Sequence, residues 1–165
     1  MRTIKHLLGI CFLTICSACS SSSEKYEPIY TASVDLSLQT TAGEEVQLSD
    51  YLKPDKYTLV EFWRGKCSYC IKAYKPVVEL AAQFADELNV VGVIVNDFDS
   101  SLDFIRANKP TWAQLMDPYQ QSVQAYKLKG VPTFVLINKK GEQFLKTSDI
   151  KKVARYLEQD LALED

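Results

Sequence analysis

Seven residues of strong β preference, Tyr57-Thr-Leu-Val-Glu-Phe-Trp63, lead into Cys67-Ser-Tyr-Cys70, and apolar residues at helical spacing continue from there. A strand that ends at two cysteines opening a helix leaves few architectures available. The β-branched and aromatic run is long enough for a central strand. Cys70, Tyr74, Val77, Val78, Ala81 and Phe84 read as one buried helix face, and Pro76 is expected to kink that helix. On a first helical turn, residues three apart share a face, with Cβ atoms about 5–6 Å apart. A disulfide needs roughly 3.5–4.5 Å, so small backbone adjustments make or break the bond. Cys67 meets the unsatisfied N–H groups and positive dipole end of the helix, which favour a thiolate, the nucleophile of thiol–disulfide exchange. Arg64, Lys66 and Lys72 add positive charge nearby in sequence. Cys70, deeper in the helix, would act second and resolve a mixed disulfide. A static structural disulfide and half of a metal site are the competing readings of the same pair.

The other cysteines, Cys11, Cys16 and Cys19, lie at the start of the 165-residue chain. Basic residues Arg2 and Lys5 precede an apolar run from Leu7 to Ala18 that is shorter than the roughly 20 residues a membrane span needs. A charged start, a short apolar core and small residues describe an export signal over residues 1–18. Cys16-Ser-Ala-Cys19 resembles a bacterial lipobox, with Cys19 as the lipidated residue, although an aliphatic side chain usually stands where Cys16 does. The polar run from Ser20 to Lys25 then opens a flexible tether, residues 19–32, before a domain spanning 33–165. Losing the signal removes His6, the sole histidine, and leaves Cys67 and Cys70 as the domain's own cysteines. One CxxC pair cannot close the Cys and His shell of a structural zinc, so no metal site is expected.

Hydrophobic residues at 47% and charged residues at 24% exclude a disordered chain, a collagen-like repeat or a polytopic membrane protein. A formal charge of −2 lacks the basic excess of a nucleic-acid binder. Within the domain, Val34–Gln39 and Glu45–Leu48 alternate as two strands around a turn at Thr41-Ala-Gly43, an N-terminal hairpin. Ser49–Leu52 reads as a short helical turn. Asn89–Asn96 is a strand covered on both faces, Ser100–Asn108 a capped helix, and Ser122–Lys127 a short helix. Val131–Asn138 is a strand led by a proline, followed by a turn at Lys139-Lys140-Gly141 and a short strand over Gln143–Lys146. Asp149–Leu161 is an amphipathic terminal helix. Alternating strands and helices imply an α/β layer architecture.

Leu59-Val-Glu-Phe-Trp-Arg-Gly-Lys-Cys-Ser-Tyr-Cys70 resembles the active-site segment of the thioredoxin superfamily, and Gly130-Val-Pro-Thr-Phe134 resembles its cis-proline loop. The preceding hairpin with Val46-Gln-Leu-Ser-Asp50, and Lys140-Gly-Glu142, are similar to TlpA-like and ResA-like extracytoplasmic members. The resemblance covers about residues 33 to 162. It implies a thioredoxin fold, a central mixed sheet flanked by helices, here with an N-terminal β-hairpin extension. It also implies a thiol:disulfide oxidoreductase acting on protein partners, with cis-Pro132 against the CxxC and the Val131 amide and carbonyl free to pair with an extended substrate strand. Glu61 falls where thioredoxins carry a buried acid whose pKa should rise towards neutrality, fitting it to take the Cys70 proton. Trp63 is expected to flank the site as a packing residue at the substrate surface. Lys66 stands where tryptophan commonly precedes the first cysteine, and Pro76 is one residue later than the usual helix proline. Ala73 stands where relatives often carry a glutamate, leaving the acid–base duty to Glu61 alone.

The function expected is a lipid-anchored, monomeric reductase of the bacterial cell envelope, facing the periplasm or the outside. Its partners would be exported proteins with disulfides and an upstream thiol donor, with no cofactor beyond the Cys67–Cys70 disulfide. A disulfide oxidase or isomerase is the alternative, since direction follows reduction potential. A non-enzymatic envelope lipoprotein is a third reading. A peroxidase is disfavoured because Arg64 occupies the threonine position of the Pro-x-x-x-Thr-x-x-Cys site, and copper delivery because the domain has no histidine.

Overall fold

The structure, a computed structural model, describes residues 28–164. The export signal 1–18, Cys19 and the tether as far as residue 27 lie outside the described residues. In chain order the elements are β1 (Thr31–Ala32), β2 (Ser37–Thr40), β3 (Glu45–Gln47), a 3-10 turn (Leu48–Tyr51), β4 (Tyr57–Trp63), α1 (Ser68–Gln83), β5 (Leu88–Ile94), α2 (Phe98–Asn108), β6 (Ala113–Met116), α3 (Gln121–Ala125), β7 (Thr133–Ile137), β8 (Glu142–Thr147) and α4 (Ile150–Glu164). The described strands form one sheet in the order β1-β8-β7-β4-β5-β6-β2-β3.

β4 is buried at every position because both faces of the sheet are covered around it. Alternation sends Tyr57 and Leu59 towards α1 and α4, where they meet Val77, Leu80, Val153 and Leu157. Val60 and Phe62 point the other way, into a second core with Leu36, Leu38, Leu48 and Tyr126. β5 runs parallel beside β4, with Tyr57 opposite Leu88 and Trp63 opposite Ile94. β7 runs antiparallel on the other side, with Phe62 opposite Thr133. This register puts the C-terminal end of β4, the start of α1 and the start of β7 at one edge of the molecule.

The fold is the mixed sheet with flanking helices that the sequence resemblance implied. The N-terminal hairpin is β2 and β3, joined to the main sheet by antiparallel pairing of β2 with β6. β6 itself carries no clear strand pattern in Ala113-Gln-Leu-Met116, where only Leu115 is fully buried, and its extended form follows from pairing with β5 and β2. The buried stripe of α1 is Cys70, Ala73, Val77, Leu80 and Phe84, with Tyr74 and Ala81 half-buried at its flank. Val78 is exposed, contrary to expectation, because one residue past Val77 the helix has turned about 100° away from the sheet. α1 continues through Pro76 without a break.

The domain also begins earlier than residue 33. Thr31 and Ala32 pair with β8, and the Tyr30 ring packs against Phe144 with centroids 5.7 Å apart. The Tyr30 hydroxyl donates to Asp160 Oδ1 at 2.6 Å, and the Tyr57 hydroxyl donates to Asp160 Oδ2 at 2.9 Å. Asp160 on α4 is only 4% exposed, so this carboxylate ties the first segment, β4 and the last helix at the pole opposite the cysteines. No helix among the described residues is long and apolar enough to cross a membrane. Tyr57→Phe keeps the ring but removes a hydrogen bond to a buried charge, a contribution of about 1.5–3 kcal/mol. Urea unfolding should show that loss with an unchanged m-value; a loss well under 1 kcal/mol would show that the tie is dispensable.

Candidate active site

The chain leaves β4 at Trp63 and turns through Arg64-Gly65-Lys66 into α1. That turn is braced on α2. The Gly65 N–H donates to Ser101 Oγ at 2.7 Å, and the same hydroxyl donates to the Asp97 carbonyl at 2.9 Å. A Cβ on Gly65 would sit closer than 3.0 Å to the backbone of Ser100 and Ser101, so only glycine permits this approach. The Arg64 Nε lies 3.9 Å from Asp97 Oδ2, and Lys66 Nζ lies 4.0 Å from Oδ1. Asp97 therefore offsets part of the positive charge that the sequence brings to the cysteines.

Cys67 is the N-cap residue of α1. Its Sγ accepts the Cys70 N–H at 3.1 Å and lies 3.4 Å from the Val131 carbonyl oxygen. Cys67 and Cys70 are disulfide-bonded, with Cα atoms 5.2 Å apart. Cys67 is 9% exposed and Cys70 is 2% exposed, so Cys67 is the sulfur nearer solvent. A sulfur at this position takes the place of a capping oxygen, and an anionic sulfur would be stabilised there by the N–H and the helix dipole. Among the described residues, no three His, Cys, Asp or Glu side chains gather as a metal site.

The Val131–Pro132 peptide is cis and immediately precedes β7. Thr133 Oγ1 donates to the Gly130 carbonyl at 2.7 Å and holds this loop against the cysteines. Pro132 is buried and Val131 is half-buried.

Glu61 lies between Leu59 and Trp63 on the α1 face of β4, flanked by Gly92 and Phe134 on the neighbouring strands. It is 4% exposed and accepts no hydrogen bond from any described residue. Desolvation pushes its pKa up to about 8. The same carboxylate contributes, after burial, to the raised pKa of the Tyr74 hydroxyl on α1. Trp63 is 5% exposed, its Nε1 donating to Gln114 Oε1 at 3.0 Å and its ring meeting Phe104 edge-on at 5.6 Å. It packs beneath the site and offers little surface to a bound chain.

Cys67, Cys70, Val131, Pro132 and Trp63 thus converge at one edge, with Glu61 below them in the sheet. The sequence reading missed Gln114 on β6 and Asp97 and Ser101 at the start of α2, which carry no local signal because they act from outside the segment that holds the cysteines. Thr133 lay within the Gly-Val-Pro-Thr motif and was legible there as a position but not as a brace.

A sequence model of the AhpC/TSA family matches residues 29–142. The chain belongs to the AhpC/TSA family. It is 30% identical over 110 residues to sporulation thiol-disulfide oxidoreductase A of Bacillus subtilis, a match over 64% of this chain and 65% of that relative's length. The thioredoxin domain of a Bacteroides vulgatus thiol-disulfide oxidoreductase superposes with a TM-score of 0.67 at 21% identity, over 78% of this AhpC/TSA chain and 94% of that one. The exposed lipoprotein thioredoxin of Streptococcus pneumoniae gives a TM-score of 0.60 at 24% identity, over 76% and 99%. These structures establish the thioredoxin fold.

An acid whose folded pKa is raised binds a proton that the unfolded chain has already released. The stability Glu61 retains below its ordinary value of 4.5 is therefore lost as pH rises towards about 8. Subtracting the unfolding free energies of Glu61→Gln from those of the wild type should leave a difference that falls between about pH 5 and 8 and then levels off. A flat difference across that interval would show that Glu61 titrates normally.

Proposed function

We propose that this protein is a thiol:disulfide oxidoreductase that reduces disulfides of exported proteins. The observation that carries the reading is the Cys67–Cys70 pair at the N-terminus of α1, with the Cys67 sulfur held by the Cys70 N–H beside the Val131 carbonyl. The name of the Bacillus subtilis relative supports the same chemistry. Location in the envelope is supported by the signal-like residues 1–18 and the lipobox-like Cys19, and by the pneumococcal structure of the same fold, itself an exposed lipoprotein.

In the proposed cycle the Cys67 thiolate attacks one sulfur of a substrate disulfide, and the other substrate sulfur leaves as a thiolate. Cys70 loses its proton and attacks Cys67 in the mixed disulfide, releasing the second substrate thiolate. Two electrons pass to the substrate, and the protein is left as the Cys67–Cys70 disulfide until an external dithiol reduces it. Burial of Cys70 keeps the resolving sulfur from reacting first with solvent oxidants or substrates. Glu61, once ionised, is the base for the Cys70 proton, directly or through one water. Val131 offers its main chain to an extended substrate segment beside Cys67.

Cys70→Ser should convert a catalyst into a trap. Incubated with disulfide-containing proteins, it should accumulate mixed disulfides through Cys67, while the reduced wild type reduces insulin. Absence of both adducts and insulin reduction would overturn the oxidoreductase reading. A potential near about −270 mV supports the reductant, and one near about −120 mV an oxidant. In pre-steady-state mixing, the rate of mixed-disulfide resolution should rise through about pH 8, following Glu61 ionisation. Glu61→Gln should remove that inflection and slow resolution about 10²-fold or more, leaving the first attack unchanged.

A further inference from the structure

A groove of roughly 810 Å³ opens beside the cysteines, between α1, the loop before β7 and the start of α4. Val131 is at its edge, and the Val131 carbonyl oxygen is 3.4 Å from Cys67 Sγ, so a chain lying in the groove passes the reactive sulfur. Lys72, Lys127, Lys129 and Lys146 line it, against the single carboxylate of Asp149. Asp149 Oδ1 already accepts the Lys151 N–H at 3.0 Å at the start of α4. None of the four lysines forms an ion pair with a carboxylate among the described residues. Lys146 Nζ is directed by donating to the Tyr126 carbonyl at 2.9 Å, and Lys72 Nζ lies 5.7 Å from the Tyr69 ring centroid. On a chain of formal charge −2, this is a local excess of positive charge concentrated where substrate must dock.

We infer that the groove selects protein segments in which acidic residues flank the target disulfide. The inference rests on the oxidoreductase reading and names its substrate class. Four ammonium groups set against one carboxylate in a concave wall attract an acidic segment on approach and repel a basic one. The half-buried apolar side chains of Pro76, Val131 and Ile150 accept the stem of the segment between its charges. Such selection acts mainly on the encounter rate and weakens with salt, because exposed charges are screened over about 10 Å at 0.1 M ionic strength.

The test uses the pre-reduced full chain in single turnover, mixed with two disulfide peptides of equal length whose flanking residues are aspartate in one and lysine in the other. Formation of the Cys67–Cys70 disulfide, read by acid quench and alkylation, gives a second-order rate constant for each. The acidic peptide should react at least about 10-fold faster at low ionic strength, and the ratio should collapse towards one in 0.5 M salt, a range on the order of other steered encounters. Lys127→Glu with Lys129→Glu should lower the acidic-to-basic ratio, a readout from which any general change in activity cancels. Equal rates for the two peptides in a protein that still reduces hydroxyethyl disulfide would overturn the inference while leaving the oxidoreductase reading intact. A preference seen with glutathione disulfide but absent between the peptides would equally overturn it, by assigning the charge to a small anionic disulfide.

Discussion

The active edge of this protein depends on a sulfur standing where a helix usually has a capping oxygen. Cys67 is the N-cap residue of α1, and its Sγ accepts the N–H of Cys70. That single contact joins the local conformation of the CxxC to the polarity of a whole helix, because an N-terminus concentrates unsatisfied donors and positive potential. It also requires the strand before it to end at the right height. β4 does so because both of its faces are buried, which fixes its place in the middle of the sheet and leaves Trp63 and the following turn at the edge.

The surroundings of that sulfur are assembled from distant parts of the chain, each held by a specific bond. Ser101 on α2 accepts from Gly65 and positions the turn into α1. Asp97 faces Arg64 and Lys66 and limits their charge. Thr133 closes the loop that brings the Val131 carbonyl to the sulfur. Glu61 is buried below without a hydrogen-bond donor among the described residues, and desolvation alone holds its pKa near 8. A carboxyl kept neutral by burial is costly for the fold and useful for moving a proton, which is why such groups gather at functional sites. The opposite pole has another buried carboxylate, Asp160, but there two tyrosine hydroxyls satisfy it and its work is structural.

Charge separates two aspects of the site. Near Cys67, Arg64 and Lys66 face Asp97. Along the groove beyond Val131, Lys72, Lys127, Lys129 and Lys146 have no such partner among the described residues. Charge at the sulfur bears on reactivity, and charge along the groove on which chains arrive.

Much of this was legible in the residues themselves. The β-rich run before the CxxC, the helical spacing after it and the proline-led strand each report a local preference strong enough to survive into the fold. Glu61 was legible as a buried acid only through the resemblance of its segment to the thioredoxin active site, and β4 is buried at every position. Other features depended on partners far away in sequence. Ala113-Gln-Leu-Met116 becomes a strand only because β5 and β2 supply its hydrogen bonds. Val78 looks like a core residue by composition and is turned outward by helical phase. Tyr30 joins the domain because Asp160, 130 residues later, accepts its hydroxyl. Sequence alone determined the reactive pair and the elements with a strong local pattern, since propensity and spacing are properties of neighbours along the chain. Tertiary structure alone decided which lysines share a groove and which serine braces the turn, since charge and hydrogen bonding act through space.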